Sequence, residues 1–483
     1  MVIRSTSVLK AMTALLSIVG LLALSVPAVD ALTGSDITVS FLVLSAVLIP
    51  IGFVSYRIRI EEGLSSMEAL FTSSLAWMLL PVVSAVPLSI ATGISYFDAF
   101  FESLSGFTGT GLTILVGLDH MKPSILFWRA LMQWTGEIGF VVFAIVLLPF
   151  FYKHGLLIYS LERPIKIEAS LYRTARRLLK IYIILTVIGI FLLYYSGMNI
   201  FDAIVHSMTG ISTGGMSNYD ANYNMIFRRA PLTVAPLTII MIFGATNFLL
   251  IDRLIRGEIR YVASNEEYRL YIELIIFFSL LSPVSVIMSQ SSMNFSESFA
   301  TGVFNAISAI TTTGFSVGSV EVFPPATKLI LVFGMFIGGM TFATVGGIKV
   351  LRFLILLKKF MTTSITLVTG GKIEARVKIG ENFLDNVEVA SALLLVVLHL
   401  IAIFAGASII KSLLPERDFV DALFEAASAS SCVGLSTGIT SPSSPIGVKA
   451  TLMALMFLGR LEYLPLLLFF GYLFGRRVLK LLK

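Results

Sequence analysis

The stretch NAISAITTTGFSVG (305–318) sets three threonines and two glycines deep inside a chain that is 56% hydrophobic. A polar, glycine-bearing break is costly in such surroundings, and it occurs four times. SGFTGTGLT (105–113), TGISTGGMS (209–217), SAITTTGFS (308–316) and SASSCVGLS (428–436) share one register. In each, a Ser or Thr lies six residues before a glycine and another lies two after it. The aligned glycines are Gly111, Gly215, Gly314 and Gly434, spaced 104, 99 and 120 residues apart. Such a period marks an internal repeat.

Asp98, Asp202 and Asp421 each stand thirteen residues before their glycine, and Thr301 stands there in the third unit. The apolar segment between is too short to cross a bilayer but suits a half-crossing helix. Asp or Thr at its start reads as an N-cap. Each unit is therefore predicted as outer helix, short pore helix, polar loop and inner helix. The expected spans are 67–150, 178–252, 268–358 (its inner helix interrupted) and 386–483, with charge-rich linkers between them. Ahead of them, 1–66 reads as a two-helix transmembrane hairpin. VPAVDA (26–31) faintly resembles a signal-peptide cleavage site, but the apolar run from Val8 is too long for one. The fold class expected is an all-α membrane protein with four repeats in pseudo-fourfold arrangement.

Composition agrees. Only 13% of the 483 residues are charged and mean hydropathy is +0.91, about half the charge of a soluble domain. A single cysteine, Cys432, excludes an internal disulfide framework. The net charge of +6 needs no nucleic acid, because Lys and Arg collect on the cytoplasmic side of membrane proteins. With the N-terminus inside, cytoplasmic ends and linkers hold 26 of the 35 Lys and Arg residues, against 8 in the loops within units. That bias predicts both termini in the cytoplasm.

Irregular backbone survives at membrane depth only where it is buried in protein or lines a cavity. Four such segments converging on one axis would offer rings of carbonyls that replace an ion's hydration shell. Short helices pointing their C-terminal ends inward favour a cation. The candidate filter residues are Gly109, Thr110, Gly111, Thr213, Gly214, Gly215, Thr312, Thr313, Gly314, Cys432, Val433 and Gly434. The bland reading, small residues that let helices pack, explains one such stretch more easily than four in register.

Other patterns carry no chemistry. GISTG (210–214) and GLSTG (434–438) match a nucleophile elbow, but the repeat already explains both. The chain holds neither a phosphate-binding loop nor an H-E-x-x-H metal site. His206 takes the place of Glu102, Asn305 and Glu425 in the other units, so it reads as a repeat-position polar residue. No catalytic set and no cofactor site emerges. Without a nucleotide site, an ion would move down its electrochemical gradient.

LFWRALMQW (126–134), HSMTGISTGGMS (206–217), ISAITTTGFS (307–316), GGIKVLRFLILLKK (346–359) and GRLEYLPLLL (459–468) together resemble the Trk/Ktr/HKT superfamily of potassium transporters. The hairpin favours its TrkH/TrkG type. The resemblance implies potassium as the transported ion, held at the filter residues. It also implies an inner-membrane homodimer in contact with lipid, and a cytoplasmic nucleotide-binding RCK-type regulatory subunit similar to TrkA or KtrA. Basic linkers and tail would then be docking surfaces, although plain positive-inside charge explains them as well. Sodium-selective plant members commonly carry serine where Gly111 stands. A sodium or unselective pathway of the same fold and a secondary solute transporter remain alternatives, and the sequence leaves open symport with protons or sodium.

Within that resemblance GGMTFATVGG (338–347), with Gly338, Gly339, Gly346 and Gly347, becomes an intramembrane gate rather than a kink. Arg460 becomes a positive barrier below the filter, inside a helix expected to run well beyond it. Aligning inner helices on Gly136, Gly244, Gly339 and Gly459 puts Glu137, Ala245, Met340 and Arg460 at one level. Relatives usually carry glycine where Glu137 stands. Units one and four are neighbours in a closed ring, so Glu137 and Arg460 are expected to meet.

Overall fold

The computed structural model describes residues 5–57, 66–151, 167–289, 294–370 and 376–463. The linker stretches 152–166 and 371–375, and the tail from 464 on, lie outside the described residues, and with them part of the expected docking surface. The described residues are mostly helical, with irregular loops between the helices and one short ribbon in which Lys378–Ile379 pairs antiparallel with Asn382–Phe383. Among the described residues, five helices are long and apolar enough to cross a membrane, or six if one bent pair counts as a span.

The N-terminal hairpin is present. Ser5–Ala23 and Ser25–Thr33 turn back into Val39–Arg57. The turn is fixed by the Asp30 carboxylate, which accepts from the Thr38 N–H at 2.8 Å. Small residues set the helix spacing: a Cβ on Gly20 would lie 2.8 Å from the Leu48 Cβ. The hairpin packs on the first unit through Phe41, edge-on to Trp128 at 5.1 Å.

Each unit opens with a long helix: Ser66–Thr92, Ile167–Tyr195, Glu266–Ser289 and Asn386–Leu413. A short helix follows: Tyr96–Phe107, Ile200–Ile211, Phe295–Ile310 and Phe419–Ser430. The expected Asp N-caps are not where these helices begin. Ser95 and Asn199 cap the first two, accepting from the N–H of Asp98 and Asp202. Asp98, Asp202 and Asp421 stand in the first turn, where a carboxylate suits the helix dipole, and Thr301 lies well inside its helix.

The inner helices diverge. Pro123–Phe151 is continuous. The second breaks into Pro231–Gly244 and Phe248–Ile255, bent by 109°. The third stops at Ile337 and resumes at Val350. The fourth, Ile446–Arg460, ends at Arg460 instead of running on, and Glu462 and Tyr463 take left-handed φ values of 49° and 60°.

Candidate functional site: a ring of four glycine strands

The four polar stretches close on one another in chain order. A Cβ on Gly111 would lie 2.1 Å from the Gly214 carbonyl oxygen, and one on Gly215 would lie 1.9 Å from that of Thr313. A Cβ on Gly314 would lie 1.9 Å from the Val433 oxygen, and one on Gly434 2.4 Å from that of Thr110. Each aligned glycine thus abuts the carbonyl just before the next unit's glycine, and the fourth returns to the first. Their φ values of 82°, 70°, 88° and 98° are also ones that L side chains rarely adopt.

The flanking hydroxyls have fixed duties. The Gly314 and Gly434 N–H groups donate to the hydroxyls of Ser308 and Ser428 at 3.0 Å. In the first two units the N–H of Gly111 and Gly215 reaches the backbone oxygen of Ser105 and Thr209 instead. Beyond the glycine, Thr113 donates to Glu102 at 2.9 Å and Ser436 donates to Glu425 at 2.8 Å. His206 plays that part in unit two, with Nε2 3.1 Å from the Ser217 hydroxyl and Nδ1 2.8 Å from the Asp202 oxygen. Its bonds are those of a brace, and among the described residues no group of three His, Cys, Asp or Glu could hold a metal. Over the ring lies a cavity of ≈ 590 Å³, lined in part by Gly111, Gly215, Gly434, Arg129, Asp220 and Glu321.

The TrkH family, described as cation transport protein, matches residues 61–289 and 261–475. The chain belongs to this family. The TrkH family is one of membrane cation transporters, and the chain is not an enzyme. It is 34% identical over 314 residues to the Trk system potassium uptake protein TrkH of Escherichia coli K12, covering 62% of this chain and 64% of that one. It is 29% identical over 482 residues to an uncharacterized cation transporter of Methanocaldococcus jannaschii, covering 99% of this chain and 97% of the relative. The crystal structure of the potassium transporter TrkH from Vibrio parahaemolyticus superposes with a TM-score of 0.86 at 27% identity, covering 96% of this chain and 98% of that one.

In this TrkH-family chain the interruption at 338–349 is a folded loop packed against the ring, not a kink. The Thr344 hydroxyl donates to the Gly244 oxygen at 3.0 Å and the Ile211 oxygen at 3.1 Å, while Thr213 donates to the Thr344 oxygen at 2.7 Å. The Gly346 N–H donates to the Thr312 hydroxyl at 3.1 Å. A Cβ on Gly346 would lie 1.9 Å from the Ser431 oxygen, and one on Gly338 2.4 Å from the Gly346 oxygen. Gly347 takes φ 70°. The glycine alignment of the inner helices holds in three units only. Gly136, Gly244 and Gly459 face the last carbonyls of their own short helices, whereas Gly339 lies in the loop against Ala245 of unit two, whose oxygen accepts from the Met340 N–H at 3.0 Å.

Glu137 and Arg460 do meet. Arg460 Nη1 donates to Glu137 Oε1 at 2.6 Å, both side chains being 1% exposed. Nη2 reaches the Gly136 oxygen at 3.3 Å, and the guanidinium lies 4.9 Å from the centre of the Trp77 ring.

Several polar contacts went unforeseen. Gln133, inside the first inner helix, donates to the Gly214 ring carbonyl at 2.5 Å and accepts from the Met216 N–H at 3.0 Å. Lys328 of unit three pairs with Asp421 of unit four, and Lys449 of unit four with Asp98 of unit one, each at 2.6 Å. Arg129 binds Glu102 at 2.8 Å and the Ser217 oxygen of unit two at 2.8 Å. Glu462 joins Lys349, at 2.7 Å, and Arg352 where the loop re-enters its helix. For Gln133, Lys328, Lys449 and Arg129 a polar residue inside an apolar helix was the available signal; its partner was not available.

Proposed function

We propose that the chain carries potassium into the cell through the four-strand ring, down the electrochemical gradient. The observation that carries this reading is the closed cycle of glycine-to-carbonyl contacts. Thr110, Gly214, Thr313 and Val433 turn their carbonyls toward the neighbouring strand, and such rings replace a hydration shell. The ion is the one that the curated relatives' names state. Loop 338–349 is the gate in this reading, since it runs from the third inner helix against units two and four as well as its own. A cytoplasmic RCK-type partner acting on that loop, and a homodimer in the inner membrane with both termini inside, complete the reading. Flux of potassium, rubidium, sodium and lithium into liposomes holding the purified protein tests it. Potassium and rubidium should pass and sodium and lithium should be held back; equal sodium flux would favour the unselective pathway.

A further inference from the structure

We infer that Glu137 is a positioning residue for permeation: its carboxylate replaces a side chain missing from the first ring strand and holds Arg460 off the ion path. The inference rests on the pore reading above.

The position two before the ring glycine is left-handed in every unit. Gly109, Thr213, Thr312 and Cys432 have φ values of 67°, 48°, 51° and 50°. A non-glycine residue there costs roughly 1–2 kcal/mol, yet three units accept it. The side chain is used each time. Thr213 and Thr312 hydrogen-bond loop residues Thr344 and Gly346, and the Cys432 sulfur lies 3.8 Å from the Met456 oxygen of its own inner helix. Unit one has no side chain there. A Cβ on Gly109 would fall 2.0 Å from Glu137 Oε1, so the carboxylate fills the space that a side chain fills elsewhere. Gly109 and Glu137 are a complementary pair, one making the room that the other occupies.

The same oxygen takes the proton-bearing Nη1 of Arg460. With Gly136 oxygen and Trp77, it draws the guanidinium against the wall of unit one. Arg460 follows Gly459, which lies directly behind Ser430 at the foot of the fourth ring strand. A cation leaving the ring must pass this level. A lone guanidinium there would repel it through a medium of low dielectric; paired, the two groups carry no net charge. Glu137 thereby sets the height of the barrier that Arg460 raises.

Charge and structure make different predictions. A purely structural pair would lower flux per folded protein on loss of either member. A charge-setting pair gives opposite signs. Glu137→Gln should cut potassium flux roughly tenfold, because it removes the negative charge that offsets Arg460 at the exit. Arg460→Gln should raise flux above wild type, and the double variant should return toward it. Glu137→Asp keeps the charge with shorter reach, guards against misfolding, and should give a smaller fall. Flux is read in liposomes and normalised to folded protein by gel filtration. Unchanged flux in Glu137→Gln and Glu137→Asp, or falls of the same sign in Glu137→Gln and Arg460→Gln, would overturn the inference. Absence of wild-type potassium flux would instead overturn the proposed function.

Discussion

The half of the ring made by units two and three differs from the half made by units one and four. Thr213 and Thr312 rest on loop 338–349, a segment with neither regular helix nor strand. Gly109 rests on Glu137, which is locked to Arg460, and Cys432 rests on the fourth inner helix. One half is underpinned by irregular backbone. The other is underpinned by inner helices, although Gly346 of the same loop also lies against the Ser431 oxygen of unit four. A fourfold repeat has thus kept its ring contacts while its supports diverged, and in our reading this lets a single loop gate a symmetric aperture from one side.

The strongest way to break the comparison is at the ring itself, which both halves share. Gly314→Ala should abolish flux, because its Cβ would lie 1.9 Å from the Val433 oxygen. Gly111→Ser should weaken the preference for potassium over sodium; unchanged ion ratios in liposomes would count against the filter assignment. Next, deleting part of 338–347 should raise basal flux and loosen partner control. A shortened protein that folds with regulation intact would remove the distinction between the halves.

Smaller effects sharpen it. Asp421→Asn removes the negative charge that Lys328 meets at 2.6 Å between units three and four; loss of a buried counter-charge should cost about 3 kcal/mol, read as a lower melting temperature in detergent. Smallest, Ser308→Ala removes the hydroxyl that takes the Gly314 N–H and should cost about 1 kcal/mol. Ser105→Ala should cost less, because the Ser105 hydroxyl has no hydrogen-bond partner among the described residues. Equal losses at both serines would contradict the contrast between units.

Much of the site was legible because its contacts are local. A glycine N–H answered by the residue six before it leaves a fixed spacing, and in units one, two and four the Ser or Thr two after it answers the short helix. Asp98 misled for a related reason. A carboxylate in the first turn of a helix and one at its cap look alike in sequence, and Ser95 three residues earlier does the capping. Pairs between units, such as Lys449 with Asp98, left no spacing to read. Glu137 with Arg460 was reached only by superposing the inner helices, and the same step misplaced Gly339, because the third helix had already unwound. Glu462 and Tyr463 hid the end of the fourth helix, since neither is a residue that announces a left-handed turn.

Ring closure has a consequence for how the chain is made. Asp98 waits 351 residues for Lys449, and Glu137 waits 323 for Arg460. At ribosomal speeds of about 5–20 residues per second, that delay is roughly 15–70 s. Throughout it, the first unit sits in or beside the bilayer with two carboxylates whose cations do not yet exist. Water, lipid headgroups or the insertion machinery must hold them until the last unit arrives. The first unit therefore completes these two charge pairs only once the fourth unit has been made.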